Sequence, residues 1–146
     1  MTTSFTDIYD IFLTQIEDYK IDLLYKDSPE RFSAYLFGFL KLAIADFSHI
    51  CSKDIETYSE SDGTFSSDLS LFEKKILGSR MSIYWLTKNI SDIRQMNLKI
   101  QDKDFKFYAE ANNLKAKQDW LKQITEESDK DFTRYELAKI DLTTWA

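Results

Sequence analysis

The chain has 146 residues, 43% of them hydrophobic, and carries 19 Lys+Arg against 25 Asp+Glu for a formal net charge of -6. That length suits one domain able to bury a sizeable core, and three glycines and one proline are too few for an all-β fold, in which turns recur about every 8–12 residues. No run of basic residues is present to displace counterions from phosphates, which argues against a free-standing nucleic-acid binder. The single cysteine, Cys51, can form no intramolecular disulfide, and the opening MTTSFTDIYD lacks the basic-then-apolar order of a secretory signal, so the chain is expected to be made in a cytosol.

A first helix is predicted to follow Thr6 or Asp7, either of which can cap it, and to run through IYDIFLTQIEDYKIDLLY. Ile8, Ile11, Phe12, Ile16, Tyr19 and Leu23 recur at spacings of three and four, which gathers them on one side. The second helix begins at DSPERF: Asp27 or Ser28 can accept the orphan backbone N–H groups, and Pro29 falls in the first turn, where its missing N–H is not needed. In the following FSAYLFGFLKLAIADFSHI, Phe32 to Ile50, apolar side chains occur almost all the way round. Lys41 and Asp46 interrupt it and it falls short of the roughly 20 residues that span a bilayer. A buried helix, central in its domain or shared with a neighbouring subunit, is expected.

Between Cys51 and Ser67 the helical pattern breaks. SKDIETYSESDGTFSS places Ile55 and Tyr58 before Asp62-Gly63 and Phe65 after it, a signal for either a small β-hairpin projecting from the bundle or a surface loop. Ser70 and Glu73 then have capping-box spacing, and Ile76, Leu77, Met81, Tyr84, Trp85 and Leu86 supply the buried face of a third helix. This helix is expected to end or bend near Asn89, with NISDIRQMNLKIQD forming a shorter one.

Asp102 or Asp104 caps the last long helix, DFKFYAEANNLKAKQDWLKQITEE, from Asp104 to Glu127, about 35 Å in length. Phe105, Tyr108, Ala111, Leu114, Leu121 and Ile124 make a narrow stripe with Phe107 and Trp120 at its edge, as suits an outer member of a bundle. After Glu127 the order weakens toward helix or strand: Phe132, Tyr135, Leu137, Ile140, Leu142 and Trp145 are spread among charges. They either fold back on the bundle or dock on a partner. The expected fold is therefore all-α, a bundle of four or five helices over 1–127 with a projecting loop or hairpin at 51–67, followed by an extended C-terminal arm over 128–146.

The chemistry-bearing residues form no recognisable active site. His49, the one histidine, lies two residues from Cys51, but a zinc site needs about four N or S ligands. Side chains two apart on a helix also point to different sides, which rules against a Cys-His pair. Asp18 and Asp22 share a helix face, with Asp7 and Asp10 nearby, and most such pairs are solvated surface charges. No Gly-rich phosphate loop, GxSxG, HExxH or calcium loop occurs. The reading is no enzyme, no metal and no cofactor, and no membrane segment.

The order TSFTDIYDIFLTQIEDYKI, then LSLFEKKILGSRMSIYWLTKNI, then DKDFKFYAEANNLKAKQDWL and a charged aromatic tail resembles the small helical neck proteins of tailed bacteriophages, the head-to-tail adaptor or head-completion family. The pieces that carry the likeness are Asp7-Ile8-Tyr9, Glu73 to Met81 with Trp85-Leu86, and Asp104-Phe105-Lys106-Phe107-Tyr108. The resemblance implies a virion protein made in the host cytoplasm, self-associating as a ring, commonly of twelve copies. Such a ring sits between the portal and further neck or tail proteins, and DNA passes through without sequence-specific binding.

It further implies a portal-binding arm with Phe132, Tyr135, Leu137, Ile140, Leu142 and Trp145 as anchors. Ile55, Tyr58 and Phe65 become candidates for contact with neighbours or the tail, and Glu110, Lys115, Lys117, Asp119 and Lys122 form an inter-subunit helix face. The rival is a small acidic helical binding module, an inhibitor or DNA mimic, acting in the bacterial cytosol.

Overall fold

A computed structural model describes residues 2–16, 24–99 and 104–139. Ser4 opens the molecule's first helix: in extended conformation, it accepts a hydrogen bond from the Thr6 amide at 3.2 Å, and α1 runs from Phe5 to Gln15. The cap thus lies before Thr6 and Asp7, and the helix stops well short of the expected length. Ile16 is extended, which lets it enter the core at 8% exposure. Tyr19 and Leu23 lie outside the described residues, as do Asp18 and Asp22.

After a helical turn at 24–27, Ser28 caps α2, Pro29–Phe47, accepting from the Arg31 amide, with Pro29 in the first turn as its spacing predicts. The apolar face is Leu36, Phe37, Phe39, Leu40, Ala43, Ile44 and Phe47. No helix among the described residues is long and apolar enough to cross a membrane.

The 51–67 segment is a hairpin, and it does not project. Strands β2, Tyr58–Ser59, and β3, Thr64–Phe65, pair antiparallel around the Asp62-Gly63 turn, and β1, Thr3–Ser4, adds to the other side of β3 in the order β1-β3-β2. Gly63 takes the left-handed φ of 66° that the turn requires. Its carbonyl accepts from the Phe5 amide at 2.8 Å, and Thr3 Oγ1 accepts from the Leu69 amide at 2.8 Å. The N-terminus therefore stitches the hairpin to the start of α1, a pairing between residues sixty apart that no local pattern announces. Ile55 and Phe65 are buried, and Phe65 packs edge-on against Phe5, which itself stacks on Phe37 of α2. Apolar burial pulls the ribbon into the bundle.

The capping box forms as written in the sequence: the Ser70 amide donates to Glu73 Oε1 at 2.7 Å and the Glu73 amide donates to Ser70 Oγ at 3.2 Å. The helix it opens, α3, continues from Leu71 to Lys99, so it does not end near Asn89 and no separate shorter helix follows. Asn89 does not turn on its own backbone, because its side-chain oxygen accepts from Lys117 Nζ of the next helix. Helix α4 spans Asp104–Ala138, so the stretch read as an extended arm is helical at least to Ala138. No Gly or Pro interrupts it, and Ser128, Asp131 and Tyr135 prolong the inward stripe set by Leu121 and Ile124 at spacings of three and four.

Helix α3 is the hub, packing against α1, α2 and α4. Its 29 residues and the 35 of α4 form the long antiparallel pair on which the shorter elements rest. The described residues are mostly helical with one small antiparallel sheet, so the expected helical bundle with a small hairpin holds coarsely, and the third strand, β1, is what keeps the fold from being purely all-α.

Candidate functional site: a charged cleft and an adjoining clasp

A cleft of about 520 Å³ lies over α3 where α1 and α4 flank it. Its walls are formed by Gln15 of α1, by Lys75, Ser79 and Ser82 of α3, and by α4 from Trp120 to Arg134. The floor is set by hydrogen bonds: Gln15 Nε2 donates to Ser79 Oγ at 3.2 Å, and Ser82 Oγ donates to Gln15 Oε1 at 2.8 Å. Small residues there let the helices approach. A Cβ on Gly78 would lie 2.9 Å from Ile11 Cγ2, inside contact distance. Asp131, 4% exposed, ties the rim together by pairing with Lys75 and Arg134, each at 3.3 Å. Lys130 is exposed and makes no ion pair among the described residues.

Beside the cleft, Glu73 is the centre of a clasp. Its carboxylate is 2% exposed and accepts from Lys53 Nζ at 2.6 Å, the Ser70 amide at 2.7 Å, the Tyr135 hydroxyl at 2.7 Å and the Cys51 thiol at 3.5 Å. Burial pushes the carboxyl up, but the Lys53 ammonium, the Ser70 amide and hydroxyl and the Tyr135 hydroxyl outweigh it and hold the group at about 2. Tyr135 OH in turn accepts from the Ser52 amide at 2.9 Å, and its burial raises its own pKa to about 12. Burial likewise raises the Cys51 thiol, which keeps it protonated and a poor nucleophile. The clasp binds the end of α4 to the junction between α2 and the hairpin, and Lys139 Nζ adds a bond to the Ile50 carbonyl.

A second polar cluster fixes the C-terminal end of α2. Arg80 Nη2 and Nε donate to Asp46 Oδ2 at 2.7 and 3.1 Å, Tyr84 OH donates to the same oxygen at 2.6 Å, and Arg80 also reaches Ser128 Oγ at 3.4 Å. Its guanidinium stands 5.0 Å from the Phe132 ring. These charges hold helices to one another. No group of three or more His, Cys, Asp or Glu side chains among the described residues is placed to share a metal ion.

The residues singled out from sequence fall in three kinds of place. Phe132 and Tyr135 belong to the chain's own core: Phe132 stacks on Phe47 with centroids 5.8 Å apart, and Tyr135 is 7% exposed. Leu137 is 61% exposed, and Ile140, Leu142 and Trp145 lie outside the described residues. Ile55 and Phe65 are internal and Tyr58 half-buried against them, so the exposed part of the hairpin is its turn, Glu60 to Asp62. Lys115, Asp119 and Lys122 are exposed on the outer side of α4, Lys117 points inward to Asn89, and Glu110 is helical with its side chain outside the description.

Sequence reasoning missed Glu73 as a hub, although its capping-box position marked it as a residue whose side chain turns back on the backbone. It also missed the cleft, which exists only because α1 and α4 meet α3. No family model, no curated protein and no solved structure matches the chain.

Proposed function

We propose that this chain is a structural virion protein of a tailed phage, one subunit of a ring that joins the portal to the neck or tail and surrounds the path of DNA. The observation that carries the reading is the outer stripe of α4. Lys115, Asp119, Lys122, Glu126 and Lys130 follow one another at spacings of four and three, all exposed and alternating in sign. Oppositely signed charges in register suit a contact repeated between copies, since they set orientation and reject misaligned partners. The buried carboxylates Glu73 and Asp131, and the half-buried Asp46, support it too: each is bonded across structural elements, which is the use of charge expected in a building block.

In this reading the anchors for the portal are Ile140, Leu142 and Trp145, together with Leu137, which is exposed. The chain's net charge of -6 would favour passage of DNA over adhesion to it. Negative-stain imaging of the intact protein with its neighbouring gene products tests the proposal, and a ring at the portal is the expected result. Leu142→Ser with Trp145→Ala should leave the circular dichroism melt unchanged while abolishing incorporation into particles. Normal incorporation of that variant would sink the anchor assignment.

The acidic binding module stays as a second reading because Asp54, Glu56, Glu60, Asp62 and Asp68 are all exposed in and around the hairpin, a local excess of negative charge. A protein that stays monomeric or dimeric by light scattering and ignores the portal would favour it.

A further inference from the structure

The hairpin tip and the cleft lie apart within one molecule. Within one chain they share no lining residue, because the tip stands beside Ser4, Phe5 and the start of α2, whereas the cleft is entered past Gln15 at the other end of α1. The ten-residue step from Phe5 to Gln15 separates them by about 15 Å along that helix.

The tip is preorganised. The Gly63 amide donates to the Ser59 carbonyl at 2.9 Å, the Asp62 amide to Ser59 Oγ at 3.2 Å, and Ser59 and Ser61 hydroxyls bond to each other. It is narrow, and it presents Glu60 and Asp62, both exposed and without an ion pair among the described residues. The cleft holds three cations, Lys75, Lys130 and Arg134, against two carboxylates, Glu127 and Asp131, in a chain that is acidic overall; Asp131 already pairs with Lys75 and Arg134, and Lys130 has no ion pair among the described residues.

We infer that the Glu60–Gly63 turn of one copy seats in the Lys75–Lys130–Arg134 cleft of the next, a head-to-tail contact between different surfaces. Such a heterologous contact closes into rings when its rotation permits. It places the neighbour's hairpin directly beside the alternating stripe of α4, and this assignment rests on the ring reading above. Because the turn is already rigid, little ordering entropy opposes its docking. The charges at the rim are solvated, so the contact weakens as salt rises past the level where the screening length falls below roughly 10 Å.

Charge reversal tests the assignment on the full chain. One variant carries Glu60→Lys and Asp62→Lys, another carries Lys130→Glu, and a third carries all three substitutions. All three positions are exposed, so circular dichroism should show the native fold in each. Light scattering over a concentration series at low salt should show each of the first two variants associating at least about tenfold more weakly than the parent, the scale of a like-charge clash. The third should recover. Carbodiimide, which joins touching carboxylates and amines, should give the parent a ladder of oligomers with Glu60 or Asp62 linked to Lys130.

Oligomers that survive in both of the first two variants, or a ladder linked elsewhere, would overturn this contact and leave the ring reading standing. A chain that neither associates in solution nor forms a ring with the portal would remove both.

Discussion

The two halves of α4 invert what their sequences suggest. The turns from Leu114 to Ile124 carry the apolar stripe, yet Leu114, Trp120, Leu121 and Ile124 are only half-buried. The turns from Ser128 to Lys139 are crowded with charge, yet Ser128, Asp131 and Tyr135 are at 2%, 4% and 7% exposure. The difference is in what each half meets. The first lies along α3 with one side open, its best contact being Trp120 edge-on to Trp85. The second meets Glu73, Lys75 and Arg80, whose charges satisfy its polar atoms, and Phe47 and Phe72, whose rings stack on Phe132 and Tyr135. Polar residues are buried where partners are waiting for them.

If that comparison is right, deleting residues 128–146 should have the largest effect. It removes Asp131, Phe132 and Tyr135 together and should abolish cooperative urea unfolding, a loss comparable to the whole stability of a small domain, about 5 kcal/mol or more. A truncated chain that unfolds cooperatively near the parental midpoint would mean that the last turns are an independent arm after all. Single substitutions sharpen the contrast. Tyr135→Ala should cost about 3–4 kcal/mol, whereas Leu121→Ala, in the more apolar but more open half, should cost about 1–2 kcal/mol. Equal losses by urea denaturation would erase the distinction.

The clasp itself can be titrated. Glu73 is depressed from an ordinary 4.5 to about 2 in the folded chain, so its contribution is fully present above about 4.5. It is lost as pH falls from there toward 2, because the unfolded chain takes up the proton first. Tyr135, raised from 10 to about 12, contributes below 10, and its share fades as pH rises through that interval. Glu73→Gln should lower stability at neutral pH by about 1–2 kcal/mol and flatten the acid limb of the melting profile. A variant with the parental acid limb would assign that limb to other carboxylates.

The smallest effects concern the two helical glycines, Gly78, which is buried, and Gly38, which is exposed. Gly78→Ala drives a methyl into Ile11 and should destabilise by about 1 kcal/mol. Gly38→Ala meets nothing within 4 Å and should stabilise by about 0.5–1 kcal/mol through helix propensity.

Much of the fold was readable because its signals are local. Ser28 with Pro29, the Ser70–Glu73 box and the Asp62-Gly63 turn each specify backbone geometry within four residues, and the apolar faces of α2 and α3 repeat at the helical period. Two of the misses were of one kind. A break was expected near Asn89 and an arm after Glu127 because polar residues cluster at both. Polarity alone does not end a helix when a distant side chain, Lys117 for one and Arg80 for the other, supplies the missing partner. The cleft was illegible for the same reason, since Gln15, Lys75 and Arg134 have no relation along the chain.

By itself the sequence determined a mostly helical chain, the starts of its second and third helices, the turn of the hairpin and the sides its helices bury, because each is a matter of neighbouring residues and their spacing. Tertiary structure alone decided that the N-terminus joins the hairpin as a third strand, that α4 runs on past Glu127, and that Glu73 becomes the hub of a clasp. Those outcomes depend on which groups, far apart in the chain, are brought close enough to satisfy one another's hydrogen bonds away from water.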